Sequence, residues 1–83
     1  MTREEMLNQC VKVICDCMPE LADVEMKEDS VVNTDIGVDS MGFILIICRL
    51  ESIFDIRIPE RQWQKMSTLG DVVDAIMKRL PKQ

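Results

Sequence analysis

The sequence predicts an all-α fold, a four-helix up-down bundle in which one helix is short and the first connection is a long loop. Apolar residues recur at helical spacing in separate stretches, and Thr-x-x-acid capping boxes at Thr2 and Thr68 mark two helix starts. No stretch shows the strict apolar and polar alternation of a half-buried strand. The 83 residues suffice for one small core, so we expect residues 1–83 to form a single domain.

The first predicted helix begins at the capping box of residues 2–5 and ends at Pro19. Its apolar face consists of Leu7, Cys10, Val11, Ile14, Cys17 and Met18. Residues 20–39 have no sustained periodicity and are predicted to form a polar loop, anchored by Leu21, Val24, Val31, Val32 and Ile36. A loop of this length in a small domain usually has a function.

The second predicted helix, from about Ser40 to Phe54, carries two apolar stripes. One follows the spacing i, i+4, i+7, i+11 and should face the core: Phe43, Ile47, Leu50 and Phe54. The other has the same spacing on a different side of the helix: Met41, Leu45, Cys48 and Ser52. We interpret the second stripe as a partner-binding surface, because a small bundle has little material to cover both. The alternative is that the bundle wraps this helix far enough to bury Met41 and Cys48.

Two further helices are predicted in the last third of the chain. Pro59 favours the start of a short third helix over about residues 59–64. The last helix begins at the capping box of residues 68–71, and its apolar face is Leu69, Val72, Val73, Ile76, Met77 and Leu80. Lys78 and Arg79 suit the negative end of its dipole, and Pro81 is expected to end it.

Charge is distributed unevenly along the chain. Residues 1–56 carry four Lys and Arg against twelve Asp and Glu, whereas residues 57–83 carry six against three. The acidic part should repel nucleic acid and attract partners with basic docking patches, although acids also simply keep a small protein soluble. The longest apolar run, residues 43–48, is too short to cross a membrane, and the acidic Glu4 and Glu5 near the start argue against a secretory signal. We therefore expect a cytoplasmic protein that binds neither nucleic acid nor membrane.

The cysteines and the lack of histidine argue against metal and catalytic sites. Cys10, Cys15, Cys17 and Cys48 form no Cys-x-x-Cys pair, so we expect reduced, packed thiols and no metal site. A nucleophilic serine needs a base, and a Ser-His-Asp arrangement cannot form in a chain with no histidine. The small size also leaves little room for a catalytic cleft, so we predict that the chain is not an enzyme.

The most informative motif is Gly-Val-Asp-Ser-Met-Gly at residues 37–42, which leads directly into the apolar run of the second helix. It places the hydroxyl of Ser40 at the first helical turn, where backbone N–H groups are free and the dipole favours an attached anion. Because the chain supplies no histidine base, Ser40 is better interpreted as a residue that another enzyme modifies.

Together with Phe-Asp-Ile-Arg-Ile-Pro at 54–59 and Ser-Thr-Leu-Gly-Asp-Val-Val at 67–73, this motif resembles the acyl carrier proteins, over residues 2–80. The resemblance implies that Ser40 carries 4′-phosphopantetheine through a phosphodiester, transferred from coenzyme A by a phosphopantetheinyl transferase with magnesium. It also implies that the thiol of this arm holds an acyl group as a thioester, and that Asp39 helps to orient the metal-bound coenzyme A. The chain would be a stand-alone, monomeric carrier that serves acyl- or aminoacyl-loading ligases, synthases and transferases.

In that family the residue after the serine and the outer face of the second helix dock onto partner enzymes, which implies Met41, Leu45 and Cys48 in this chain. Carriers of the fatty-acid type usually place acids along this helix, whereas here only Glu51 and Asp55 remain. The resemblance therefore implies docking through apolar contacts with a few dedicated partners, in a specialised fatty-acid-like or polyketide pathway.

The family's acyl cavity is bordered at the position of Phe43, where small residues are frequent, so a large ring implies a short or polar cargo. Two alternatives remain open. Residues 40–42 and 54–56 also resemble aminoacyl or peptidyl carriers, including the D-alanyl carriers of cell-wall modification. The chain could instead be a helical interaction module without a prosthetic group, in which Ser40 only caps the helix and the Met41 stripe binds a partner helix.

Overall fold

The structure is a computed structural model that describes residues 2–80, and this part of the chain contains four α-helices. They are α1 (Arg3–Cys17), α2 (Ser40–Phe54), α3 (Glu60–Trp63) and α4 (Leu69–Met77). Each lies where the sequence predicts a helix, and α2 has the predicted bounds. The last helix ends at Met77, so the expectation that it continues to Pro81 is wrong; Pro81 itself lies outside the described residues.

The predicted capping box of α1 is formed by both of its hydrogen bonds. The Glu5 N–H donates to Thr2 Oγ1 at 3.2 Å, and the Thr2 N–H donates to Glu5 Oε1 at 2.9 Å. The buried face of the helix is Met6, Cys10, Val13 and Ile14. The predicted face was therefore partly wrong: it omitted Met6 and Val13, and it included Leu7, Val11, Cys17 and Met18, which are only partly buried. Packing against both α2 and α4 decides which stripe of α1 is covered.

The long first connection contains two short helical turns that its polar composition did not predict. A 3₁₀ turn spans Pro19–Leu21, and a π-helical turn spans Val32–Ile36. Gly37 ends the π-helical turn with φ 93°, a left-handed conformation that glycine adopts without steric cost. Val32 and Ile36, two of the predicted anchors, are buried. Val38, just before the Asp-Ser motif, is also buried.

This connection is fastened to the start of α4 by backbone hydrogen bonds. The Val32 N–H donates to the Ser67 carbonyl, and the Leu69 N–H donates to the Ser30 carbonyl, each at 2.9 Å. The Gly70 N–H donates to the Glu28 carbonyl at 2.8 Å, and a Cβ at Gly70 would lie only 3.0 Å from that oxygen. Gly70 thus permits the close approach of two backbones, which fixes the loop that leads to α2.

Helix α2 forms one side of the hydrophobic core. Ile46, Ile47 and Leu50 are the buried residues of this helix, and they belong to one hydrophobic core with the buried residues of α1, α4 and the connections. Of the predicted core stripe of α2, Ile47 and Leu50 are fully buried, whereas Phe43 and Phe54 are half-buried at the edge of the core.

The segment after α2 is tied to both neighbouring helices through Ile58, which is itself buried. The Ile58 N–H donates to Glu51 Oε2 at 2.7 Å, and its carbonyl accepts the Trp63 Nε1–H at 2.9 Å. Because Glu51 belongs to α2 and Trp63 to α3, these two bonds set the position of the short helix beside α2.

The second predicted capping box starts α4. The Asp71 N–H donates to Thr68 Oγ1 at 3.2 Å, and Asp71 Oδ2 accepts the N–H groups of Thr68 and Ser67. The hydrogen bond from the Thr68 N–H, which has the largest effect, and that from the Ser67 N–H lower the pKa of the Asp71 carboxyl. At the other end Lys78 is the C-cap residue, and Arg79 donates from Nη1 to the Ala75 carbonyl at 2.9 Å. Within residues 2–80, every helix is too short or too polar to cross a membrane.

Candidate functional site

The start of α2 is built around the side chain of Asp39. Asp39 is the N-cap residue, with extended backbone angles of φ −79° and ψ 176°, and its Oδ1 accepts the Gly42 N–H at 2.7 Å. Its carbonyl accepts the Phe43 N–H at 2.8 Å and so begins the helical hydrogen-bond series. The cap is therefore Asp39, and the interpretation of Ser40 as a capping residue is wrong.

Ser40 is the first residue of α2 and is exposed to solvent. The first N–H groups of a helix have no acceptor within it, and here Asp39 satisfies that of Gly42. Among residues 2–80, the N–H groups of Ser40 and Met41 have no acceptor. These groups and the helix dipole favour an anion at the Ser40 side chain.

The outer face of α2 is apolar and uncovered. The exposed fraction is 81% for Met41, 55% for Leu45 and 51% for Ile53, and Cys48 is also exposed. The predicted second stripe is therefore on the surface, and the alternative in which the bundle buries Met41 and Cys48 is wrong. The pattern missed Ile44, which is 45% exposed, although it follows Met41 by three residues and thus lies beside it on the helix.

Met41, Leu45 and Cys48 line one groove, together with Cys17 and Met18 from the end of α1. Its volume is about 520 Å³, and Glu20 and Asp39 are the acidic residues among its lining. The structure thus brings the three predicted docking residues together. Sequence reasoning had assigned Cys17 and Met18 to the core face of α1, and both are instead half-buried at this groove.

A second concavity, which we call the Ser40 cleft, lies beside this groove along α2, and Ile44 lines both. It has a volume of about 380 Å³ and is bounded by α2, α3 and the π-helical turn. Its lining residues are Asn33, Ser40, Phe43, Ile44, Glu60, Trp63, Gln64 and Met66. Phe43 lies in this wall. The other members come from three segments of the chain, and only Trp63, a single large aromatic on a short polar helix, offered a hint in the sequence.

The cysteines differ strongly in their surroundings. Cys10 is fully buried, and burial raises the pKa of its thiol to about 12. Cys15 and Cys17 are partly exposed, and Cys48 is exposed. The expectation of packed thiols holds for Cys10 and is wrong for Cys48.

Comparison with known proteins identifies the family. The family model described as "Phosphopantetheine attachment site" matches residues 12–76. The chain is 33% identical to an acyl carrier protein of Amoebophilus asiaticus over 79 residues, which covers 95% of this chain and 98% of that protein. The chain belongs to the acyl carrier protein family. Its relatives are carriers rather than enzymes, and the prosthetic group of the family is phosphopantetheine.

Solved structures agree on the fold. The acyl carrier protein of Enterococcus faecalis matches with a TM-score of 0.72 at 29% identity, over 94% of this chain and 98% of that one. That of Thermotoga maritima matches with a TM-score of 0.84 over 95% and 91%; at 24% identity this likeness concerns the fold alone. The predicted four-helix bundle with one short helix and a long first loop is thereby confirmed.

Proposed function

We propose that Ser40 is the residue to which 4′-phosphopantetheine is attached, and that Asp39 and Ser40 form the attachment site. The observation that supports this most is the state of the hydroxyl: Ser40 is exposed, and Asp39 has taken over the capping role. The surroundings of Ser40 fit a phosphopantetheine group. Its phosphodiester would lie next to the N–H groups of Ser40 and Met41, which have no acceptor within residues 2–80.

In the proposed attachment, Ser40 Oγ forms a bond to the β-phosphorus of coenzyme A, and the bond from that phosphorus to the bridging oxygen breaks. Adenosine 3′,5′-bisphosphate leaves, and the serine proton goes to a base of the transferase, since this chain contains no histidine. Asp39 Oδ1 is held by the Gly42 N–H, so the carboxylate has a fixed direction beside Ser40 in which to orient the magnesium of the transferase complex. The attached arm supplies a thiol that holds an acyl group as a thioester.

We further propose that Met41, Leu45 and Cys48 are contact residues for the partner enzymes. Their exposure and their shared groove support this role. The acids of α2 contribute less, because Glu51 is only partly exposed and its carboxylate accepts the Ile58 N–H. Docking by apolar contact favours a few dedicated partners, consistent with service in a specialised fatty-acid-like or polyketide pathway.

Two cargo classes remain in this proposal: acyl groups of such a pathway, and aminoacyl groups as in aminoacyl, D-alanyl or peptidyl carriers. The polar residues that line the Ser40 cleft support the aminoacyl class, because they can form hydrogen bonds with a polar cargo. The proposed working form is a monomer in which residues 1–83 make up one carrier domain. The proposed compartment is the cytoplasm, where its four unpaired cysteines stay reduced.

The attachment is tested by intact mass after incubation with coenzyme A, magnesium and a broad-specificity phosphopantetheinyl transferase. We expect a gain of one phosphopantetheine group in the wild type and none in Ser40→Ala. Ser67→Ala is the matched control, because Ser67 is another exposed serine and lies outside α2, and this variant should be modified normally.

An interaction module without a prosthetic group is the competing function. Absence of the mass gain in the wild type, or an equal gain in Ser40→Ala, would favour that module and reject the attachment site.

A further inference from the structure

We infer that the Ser40 cleft selects a short cargo that carries an amino group, so that the thioester held by the arm is an aminoacyl or amino-substituted acyl thioester. This inference names the cargo class of the attachment site and rests on the proposed function. It follows from the size of the cleft, its charge and the fixed position of its aromatic residue.

The size of the cleft favours a short cargo. The cleft volume of about 380 Å³ lies near the lower end of the roughly 300–1,000 Å³ of small-molecule pockets. Ser40 itself lines the cleft, so an arm that folds back along α2 must share this volume with its cargo. The half-buried ring of Phe43 and the buried side chain of Met66 occupy the side toward the core, where a long alkyl chain would have to continue.

The polar side chains of the cleft favour a cargo with a hydrogen-bonding or charged end. Asn33, Glu60 and Gln64 supply a carboxylate and two amides, all of which can accept a hydrogen bond from an ammonium group. Asn33, Glu60 and Gln64 are exposed to solvent, and an alkyl end placed against them would remove part of their water without replacing its hydrogen bonds, which is unfavourable. The cleft thus differs from the groove on the outer side of α2, whose lining is mostly apolar.

The charge of the cleft lining distinguishes a cargo with a cationic end from a cargo with an anionic end. Glu60 is the charged residue of the cleft lining in the part of the chain that the structure describes, and no Lys or Arg belongs to that lining. Glu60, Arg61 and Lys65 are all exposed to solvent, and of these three Glu60 belongs to the cleft lining. An ammonium group would therefore be attracted by Glu60, whereas a terminal carboxylate would be repelled.

Trp63 adds a second attraction for a cation. Its Nε1–H is donated to the Ile58 carbonyl at 2.9 Å, which fixes the ring in the cleft wall. A cation within about 6 Å of an indole face is attracted by the negative charge of that face. An amino group in the cleft would thus be attracted by both Glu60 and the ring of Trp63.

The test uses three cargoes of the same length that differ only in their terminal group. The transferase loads the wild-type chain from the coenzyme A thioesters of 3-aminopropanoate, butanoate and succinate, which end in ammonium, methyl and carboxylate. Intact mass, with Ser40→Ala as the variant that should gain nothing, first verifies that each is attached to Ser40. The readout is the indole ¹⁵N–¹H resonance of Trp63, which is unambiguous because the chain has one tryptophan.

We expect 3-aminopropanoyl to shift the Trp63 indole resonance, relative to the chain with the arm alone, at least twofold more than butanoyl or succinyl. Glu60→Gln should reduce this difference at least twofold. Glu4→Gln removes the same charge at an exposed position of α1 and should leave the difference unchanged.

Equal shifts for 3-aminopropanoyl and butanoyl would overturn the inference, and so would an unchanged difference in Glu60→Gln or the absence of any shift. These outcomes are distinct from a failure of the proposed attachment, because in that case no cargo would appear on Ser40 in the mass spectrum.

Discussion

The inner and outer faces of α2 are built from the same residue types and differ completely in exposure. Ile47 and Leu50 are 0% exposed on the inner face, whereas Met41 is 81% and Leu45 is 55% exposed on the outer face. Burial of a side chain of this size stabilises a fold by roughly 1.5–3 kcal/mol. The inner face therefore accounts for folding, and the outer face gains no such stabilisation. An apolar surface that folding does not require indicates a surface kept for contact with other proteins.

The largest expected effect is the difference in stability between substitutions on the two faces. Ile47→Ala should lower the free energy of unfolding by about 2–5 kcal/mol, because it leaves a cavity in the core. Leu45→Ala should change it by no more than about 0.5 kcal/mol, because the side chain is largely in solvent. Urea unfolding followed by circular dichroism measures both. Similar losses in the two variants would mean that the outer face is covered and the comparison is wrong.

The thiols of Cys10 and Cys48 sharpen the same comparison by chemical reactivity. In a Cys15→Ser, Cys17→Ser background, Cys48 should react with a disulfide reagent at the rate of an exposed thiol. Cys10 should react only as fast as the chain opens, because it is buried and burial raises the pKa of its thiol to about 12. The reaction is followed by absorbance at pH 8, and urea should make the two rates converge. Rapid modification of Cys10 without urea would contradict the buried position.

Cys10 also predicts how stability depends on pH in the alkaline range. Its thiol pKa is raised from 9.0 to about 12 in the folded chain, so between these values the unfolded chain binds fewer protons than the folded one. The stabilising contribution is complete below about pH 9 and is lost as the pH rises toward about 12. Urea unfolding at several pH values should show this decline in the wild type. In Cys10→Ala the decline should be weaker, and an identical profile in the two proteins would reject this assignment.

The smallest expected effect concerns Asp39, where the two faces of α2 begin. Asp39→Ala should cost about 1 kcal/mol because it removes the cap on the Gly42 N–H, whereas Asp39→Asn keeps a capping oxygen and should cost little. Thermal unfolding compares the two. The same pair separates capping from chemistry, since Asp39→Asn should still lower kcat/KM of the transferase if the carboxylate orients the magnesium. If the transferase modified Asp39→Asn at the normal rate, the role of Asp39 would be capping alone.

Much of the fold could be predicted because its boundaries have local causes. The capping boxes at Thr2 and Thr68 and the Asp-Ser motif before α2 each satisfy backbone groups within a few residues, so the sequence contains all the partners. The position of Ser40 at the first turn follows from the same local rule. The 3₁₀ and π-helical turns of the first loop were missed, because bonds such as that from the Val32 N–H to the Ser67 carbonyl join distant segments.

The sequence by itself determined the helices, the capping boxes at Thr2 and Thr68, the uneven charge and the serine at the start of α2, because each depends on neighbouring residues or on composition alone. Only the tertiary structure decided which apolar stripe of α1 is buried and that Asn33, Ser40, Glu60 and Trp63 share one cleft. The physical reason is that burial and clefts arise where segments far apart in the chain meet. A periodic pattern gives the direction of a side chain about its own helix, but the packing of the other helices decides whether it meets protein or solvent.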